Sequence, residues 1–417
     1  MADYLYGDGI HDDTDAIQKL LDSGACRVEL PVPRKHYLIS RTLKLHSRQE
    51  LLLSRWTLVK MAPKSNVPML ANSDMVHGNV RISVRGGIWD YDNIRQAPNP
   101  QMLHKMAAVP EDYPVDPVKG GPCVLDHSLP YHPDRYWGEV FRFNRVDQFE
   151  MSDLVLKDPV SYAAKFARLT NFTIRHITFD FNEGNPSPNN MDGLHFDGFC
   201  RNGFISDIKG ACYDDLLAFN AEDGVVDSPG FGPIENIEVD GIFCDRCHSA
   251  ARLLSCGSPI RNITIRNVHG SFYRYAVGLT HYFPEIPERG VFDNIVLENL
   301  FISKALPLPS DWNHVPDYGL IWGQELCDVG SLRISGLHRI EEHTPTPTID
   351  FDDGFRIDRL DVDDCSIENR LADPVVWIRN SGRIGRLKFD GCRIVETPGA
   401  GAVTELENSG SIGEVRS

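Results

Sequence analysis

An apolar residue, two mostly polar or small residues, then a second apolar residue or cysteine: this short module recurs from about residue 170 onward. It spans Ile174–Ile177, Ile205–Ile208, Val239–Ile242, Ile265–Val268, Leu297–Leu300, Ile334–Leu337, Val362–Cys365 and Phe389–Cys392. The eight copies start 31, 34, 26, 32, 37, 28 and 27 residues apart, so a unit of constant shape is joined by connections of variable length. Alternating residues lead into several copies, as in Ile237-Glu238-Val239 and Ile263-Thr264-Ile265, which is the period of a half-buried strand. The Asn, Asp or Gly inside seven of the eight modules suits a bend between two short strands, because these residues tolerate left-handed backbone angles.

A strand-bend-strand unit at variable spacing is the mark of a solenoid. Almost no segment carries the 3.6-residue period that a helical solenoid requires. The pattern therefore predicts an all-β fold, a single right-handed parallel β-helix with about 4.8 Å between neighbouring strands. A β-sandwich or propeller does not explain copies that stay in phase.

The first residues add one helix. Gly7–Leu21 is a polar turn running into an amphipathic segment, with Asp12 or Asp13 as cap and Ala16, Ile17, Leu20 and Leu21 on one face. Residues 1–24 are expected to close the solenoid's end, keeping its core dry and its edge unpaired with other chains. Strand-like runs such as Arg27–Pro31, Glu50–Ser54 and Val80–Val84 fit earlier coils. A Pro-rich excursion over 96–136 is too long for a turn and is expected to be a loop beside a cleft. No linker or shift in composition divides the chain, so 1–417 reads as one domain.

Charge narrows the partners. The net charge is −17, with acidic residues scattered, which excludes the basic face that nucleic acid or an anionic membrane requires. No apolar run is long enough to span a bilayer. Met1–Tyr6 shows no signal sequence, so a cytoplasmic chain and a mature secreted one both fit. Cys244-Asp245-Arg246-Cys247-His248 matches a haem-attachment pattern formally. Buried thiols, or a zinc site completed by Cys256, are the competing readings. No cofactor is expected.

The candidate chemistry is acidic. Asn190-Met191-Asp192-Gly193 is followed by Asp214 and Asp215, which lie 22 and 23 residues after Asp192, close to one coil. Carboxylates brought together on successive coils could serve as acid and base across a glycosidic bond. Two such groups would raise one another's pKa and keep one protonated. Consecutive strand residues point to opposite faces, so Asp214 and Asp215 share a groove only at a bend or bulge. Solvated turns and a calcium site are the other uses of such residues. His248 lies six residues after Ile242, just as Asp214 lies six after Ile208.

Gly7–Gln18 resembles the opening motif of the pectin-lyase-like β-helix superfamily. Asn190–Gly193 and Asp214-Asp215 resemble the two acidic motifs of the polygalacturonases, glycoside hydrolase family 28. The resemblance spans most of the chain at the level of coils and is sharp from about 170 to 282. It implies an inverting glycoside hydrolase acting on a poly- or oligosaccharide. Asp214 would be the general acid, Asp192 and Asp215 would position and deprotonate water, and His248 would support them.

The chain also departs from that family. Its Arg-Ile-Lys motif, which grips the substrate carboxylate, aligns with Tyr275–His281, which holds no arginine or lysine. His195 stands where the motif usually has an acidic residue. The substrate-binding candidates are therefore Asn190, His195, Arg252, Arg274, His281 and Tyr282, with Trp312 and Trp322 as further aromatic surfaces. The resemblance implies a carbohydrate partner with altered recognition. A polysaccharide lyase on the same fold, or a non-catalytic glycan-binding β-helix, is the alternative.

Overall fold

The computed structural model describes residues 4–124, 131–222, 230–308 and 318–416. Trp312 and part of the 96–136 excursion lie outside them. Contacts gather the chain into two compact units: Met1–Gly203 with Ile208–Asp214 and Val225–Gly230, and Phe204–Asp207 with Asp215–Gly224 and Phe231–Ser417. Each is a stack of parallel β-strands.

In the second unit the long strands Ile234–Cys247, Ile260–Phe272, Gly290–Lys304 and Cys327–Glu341 pair in register. Ile237, Ile263, Ile295, Leu332, Leu360 and Leu387 lie one above another, all buried. Val239, Ile265, Leu297, Ile334 and Val362 form a second inner row. Each such side chain contributes about 1.5–3 kcal/mol by leaving water, which gives the apolar positions of the module their role. Short strands Asp215–Asn220, Ser249–Leu254, Val277–Thr280, Ile321–Gly323 and Ile349–Phe351 build the other wall.

The bends fall where the sequence places them. The third residue of every module has a left-handed φ: His176 (55°), Asp207 (53°), Gly241 (89°), Asn267 (58°), Asn299 (55°), Gly336 (65°), Asp364 (52°) and Gly391 (62°). Asparagine side chains bond across coils at these bends and at a second set. Asn299 Nδ2 donates to Asn267 Oδ1 at 3.3 Å, and Asn294 Nδ2 to Asn262 Oδ1 at 2.9 Å.

In the first unit the helix spans Thr14–Leu21 and buries Ala16, Ile17 and Leu21. Leu20, expected on the same face, is exposed. The cap also differs in detail. Asp13 occupies the cap position but makes no capping bond, because its carboxylate takes the Tyr6 and Gly7 amides. Asp12 instead accepts from the Thr14 amide at 2.9 Å. Gln18 exchanges hydrogen bonds with both backbone groups of Lys44, so the helix covers the edge of strand Leu43–Leu45.

The described part of the excursion has its own small core of Leu103, Tyr113, Cys123 and Tyr136. Arg142 ties it down, donating to the Arg135 carbonyl at 2.9 Å and to Glu139 at 2.5 Å. Cys244, Cys247 and Cys256 are buried free thiols.

Candidate functional site

In the first unit the acidic motif stands at the entrance to strand Leu194–Asp197, which pairs with Ala164–Ala167 so that His195 faces Lys165. Asn190 turns the chain with a left-handed φ of 54°, and the Asn189 amide bonds its side chain. The excursion reaches this turn: Asn99 Nδ2 donates to the Asn189 carbonyl at 2.7 Å. Asn99, near the start of the excursion, thus touches the turn that precedes the acidic motif.

Asp192 is buried and lies 2.7 Å from His195 Nδ1. His195 Nε2 lies 3.3 Å from Asp197, whose other oxygen is 3.5 Å from Lys165 Nζ. The Lys165 ammonium also sits over the rings of Tyr162 and Trp137, at 5.2 and 5.9 Å. Burial pulls the His195 imidazole toward neutrality, but its hydrogen bonds to Asp192 and Asp197 outweigh this and raise the pKa to about 8. Sequence reasoning missed Asp197, Lys165, Tyr162 and Trp137. Asp197 was within reach, since it lies two residues after His195 on one strand and so shares its face. Lys165, thirty residues earlier, becomes visible only with the register.

Asp214 sits in the bend before strand Asp215–Asn220, where the sequence required one. Gly210 makes the approach: its φ is +98°, and an added Cβ would lie 2.2 Å from the Phe179 carbonyl. The Cys212 thiol donates to the Asp214 carbonyl at 3.1 Å, and the Asp214 side chain is buried.

In the second unit Asp215 begins its strand opposite Ser249. Ser249 donates to one carboxylate oxygen, and Arg252 Nε reaches the other at 2.5 Å. Burial opposes the charge, yet Arg252, with the Ser249 hydroxyl and Arg274, holds the Asp215 carboxyl below the usual carboxylate range. His248 lies 3.8 Å from Asp215. Burial, and the Arg274 guanidinium after it, push this imidazole down to about 3 against the pull of Asp215. The contact is therefore between a carboxylate and a neutral ring. Arg274 follows one coil later, its amide donating to the His248 carbonyl at 3.1 Å.

An aromatic group surrounds these charges. The Arg274 guanidinium lies 4.7 Å over Tyr318 and 5.7 Å over Tyr275, and Arg252 lies 5.6 Å over Tyr282. The Tyr275 and Tyr282 hydroxyls meet at 2.9 Å. Trp322 is buried, stacked on Tyr275 at 5.6 Å and tilted against Tyr318 at 4.3 Å. Gly278 makes room, since a Cβ there would lie 2.8 Å from the Tyr275 ring. His281 is turned into its own loop: Nε2 meets the Glu288 carbonyl at 2.8 Å, and Nδ1 accepts the Phe283 amide. Tyr275, Tyr318 and Lys304, which donates to the Tyr318 carbonyl, were not among the expected site residues.

Comparison with family models finds no match, and neither does comparison with curated protein sequences. Solved structures share the fold. A family 28 exopolygalacturonase from Yersinia enterocolitica is 13% identical, with a TM-score of 0.61 over 99% of this chain and 76% of that one. A hyperthermoactive exopolygalacturonase from Thermotoga maritima is 15% identical, with a TM-score of 0.57 over 87% and 85%. The catalytic unit of a thermostable GH87 alpha-1,3-glucanase from Streptomyces thermodiastaticus is 12% identical, with a TM-score of 0.53 over 98% and 65%. At such identities the likeness is one of fold: the chain is a right-handed parallel β-helix, as these glycoside hydrolases are.

Proposed function

We propose that this chain hydrolyses glycosidic bonds by an inverting mechanism. One observation carries the reading: Asp192, Asp214 and Asp215 are all buried at the entrances of short strands. Buried carboxylates are costly unless paired, and the partners found here, His195 for Asp192 and Arg252 for Asp215, hold them in place as charged groups. Use of such carboxylates as acid and base is the economical explanation.

Asp214 protonates the leaving oxygen. Asp192 takes the proton of the attacking water. In the second unit Asp215, held ionised by Arg252, is a fixed negative charge rather than a proton donor. His248 stays neutral and orients Asp215. Asn190, beside Asp192 on the same turn, contacts the sugar. Arg252 is committed to Asp215, and His281 to its loop. The substrate is a poly- or oligosaccharide recognised without the paired cations of the polygalacturonase motif.

The test is a panel of defined neutral and uronic oligosaccharides, with the product anomer read by NMR. Inversion is expected. Retention of configuration would overturn the mechanism, and unsaturated products absorbing in the ultraviolet would replace hydrolysis with lyase chemistry.

A further inference from the structure

His195 has a carboxylate at each ring nitrogen, Asp192 at 2.7 Å from Nδ1 and Asp197 at 3.3 Å from Nε2. A neutral imidazole owns a single N–H and can donate to one of them. The other contact would then set a ring lone pair against a carboxylate oxygen. With both carboxyls ionised, only the doubly protonated ring satisfies both. The ring is also shielded: His195 is about 2% exposed, so its two nitrogens are left to the carboxylates rather than to bulk solvent.

We propose that His195 is a fixed cation that positions Asp192 and keeps it ionised, rather than a group that binds substrate. The catalytic part of this assignment rests on the reading of Asp192 as the base. The surrounding charges balance. Lys165, Asp197, His195 and Asp192 alternate in sign and sum to zero, so the imidazolium sits in a neutral cluster. Within its unit the groups that face it are Asp192, Asp197 and the Tyr162 ring at 4.1 Å. Lys165 stands beside it in the row, with Arg142 next and paired to Glu139. Burial alone would push a carboxyl toward its neutral form, and a neutral Asp192 could not accept a proton from water. A cation 2.7 Å away reverses that preference.

The experiment is a long-range proton–nitrogen NMR titration of protein labelled with nitrogen-15 in histidine. His195→Gln identifies the resonance by its loss. At pH 7 both ring nitrogens of His195 are expected in the imidazolium range, titrating near the raised value of about 8. Asp192→Asn is expected to lower that midpoint by a unit or more, about a tenfold change in proton affinity. By linkage the same factor describes how far the imidazolium favours ionised Asp192. A single neutral tautomer at pH 7 would sink the proposal, and the wild-type spectrum decides this even if Asp192→Asn does not fold. A midpoint unmoved in Asp192→Asn would sink it as well.

Turnover separates this from the hydrolase reading. On a sugar that the wild type cleaves, His195→Gln should lower kcat at least about tenfold and move KM less than about threefold. An unchanged kcat would overturn the positioning role. If the wild type cleaves nothing, the hydrolase reading falls, while an intact coupling still supports the charge assignment.

Discussion

The Arg252 guanidinium meets the Asp215 carboxylate at 2.5 Å, with the carboxylate fully buried and the arginine nearly so. Removing the cation leaves a buried charge without its partner, which typically costs about 3–5 kcal/mol. Arg252→Ala should therefore lose several kcal/mol in urea unfolding at pH 7. The sign with pH is also fixed. Asp215 titrates below its ordinary range in the folded chain, so its contribution is present above that range and is lost as pH falls through the lowered value. A change under about 1 kcal/mol at pH 7 would show the pair to be solvent-screened.

His248 and His195 are shifted in opposite directions, to about 3 and about 8. For His248 the unfolded chain binds the extra proton, so stability is full above about 6.5 and falls as pH drops toward 3. For His195 the folded chain binds it, so stability is full below about 6.5 and is lost as pH rises through 8. Denaturation midpoints across pH should therefore flatten on the acid side in His248→Gln and on the alkaline side in His195→Gln. Parallel curves for the two variants would contradict the assignment.

Asn299 holds a φ of 55°, where a β-branched residue is strained. Asn299→Val should cost about 1–2 kcal/mol and also lose the bond to Asn267. Asn299→Gly should be nearly neutral. Thermal melts of the two variants that coincide would remove the left-handed bend as the reason for asparagine.

Gly278 lies under the Tyr275 ring, and a methyl group there would force the ring out. Overpacking of this kind costs about 1–3 kcal/mol. Gly278→Ala should lower the melting temperature and change the near-ultraviolet dichroism, because Tyr275 is stacked on Trp322 and bonded to Tyr282. An unaltered spectrum would mean that the ring has somewhere else to go.

Asp214→Asn keeps the size of the side chain and removes its proton chemistry. On a cleaved substrate kcat should fall about 10²–10⁴-fold with the fold intact by far-ultraviolet dichroism. Undiminished turnover would transfer the acid role to another group.

The coils were legible because their determinants are local. Each bend needs a residue tolerant of left-handed angles, and His176, Asp207, Asn267 and Gly336 declare that need within four residues. The acidic motifs were legible for a similar reason, lying at strand entrances that the module spacing foreshadows. What escaped notice depends on register. Arg252 finds Asp215 from 37 residues away, and Lys165 stands beside His195 because one short strand pairs with another. Neither follows from spacing alone when connections vary in length. The sequence leaves Asp12 and Asp13 as equal candidates for the helix cap; Asp12 bonds the Thr14 amide because Asp13 is taken up by the amides of Tyr6 and Gly7.

The left-handed bends carry one last consequence. Each is fixed by a residue inside its own module, so the loops between strands can differ in length without moving a bend. A foreign segment spliced between Thr280 and Gly290 would change what the surface presents and displace His281, Tyr282 and Arg289 from their partners, while the strands on either side kept theirs. The scaffold behaves as a rack whose shelves hold their spacing whatever is placed on them, which makes it a natural host for grafted loops.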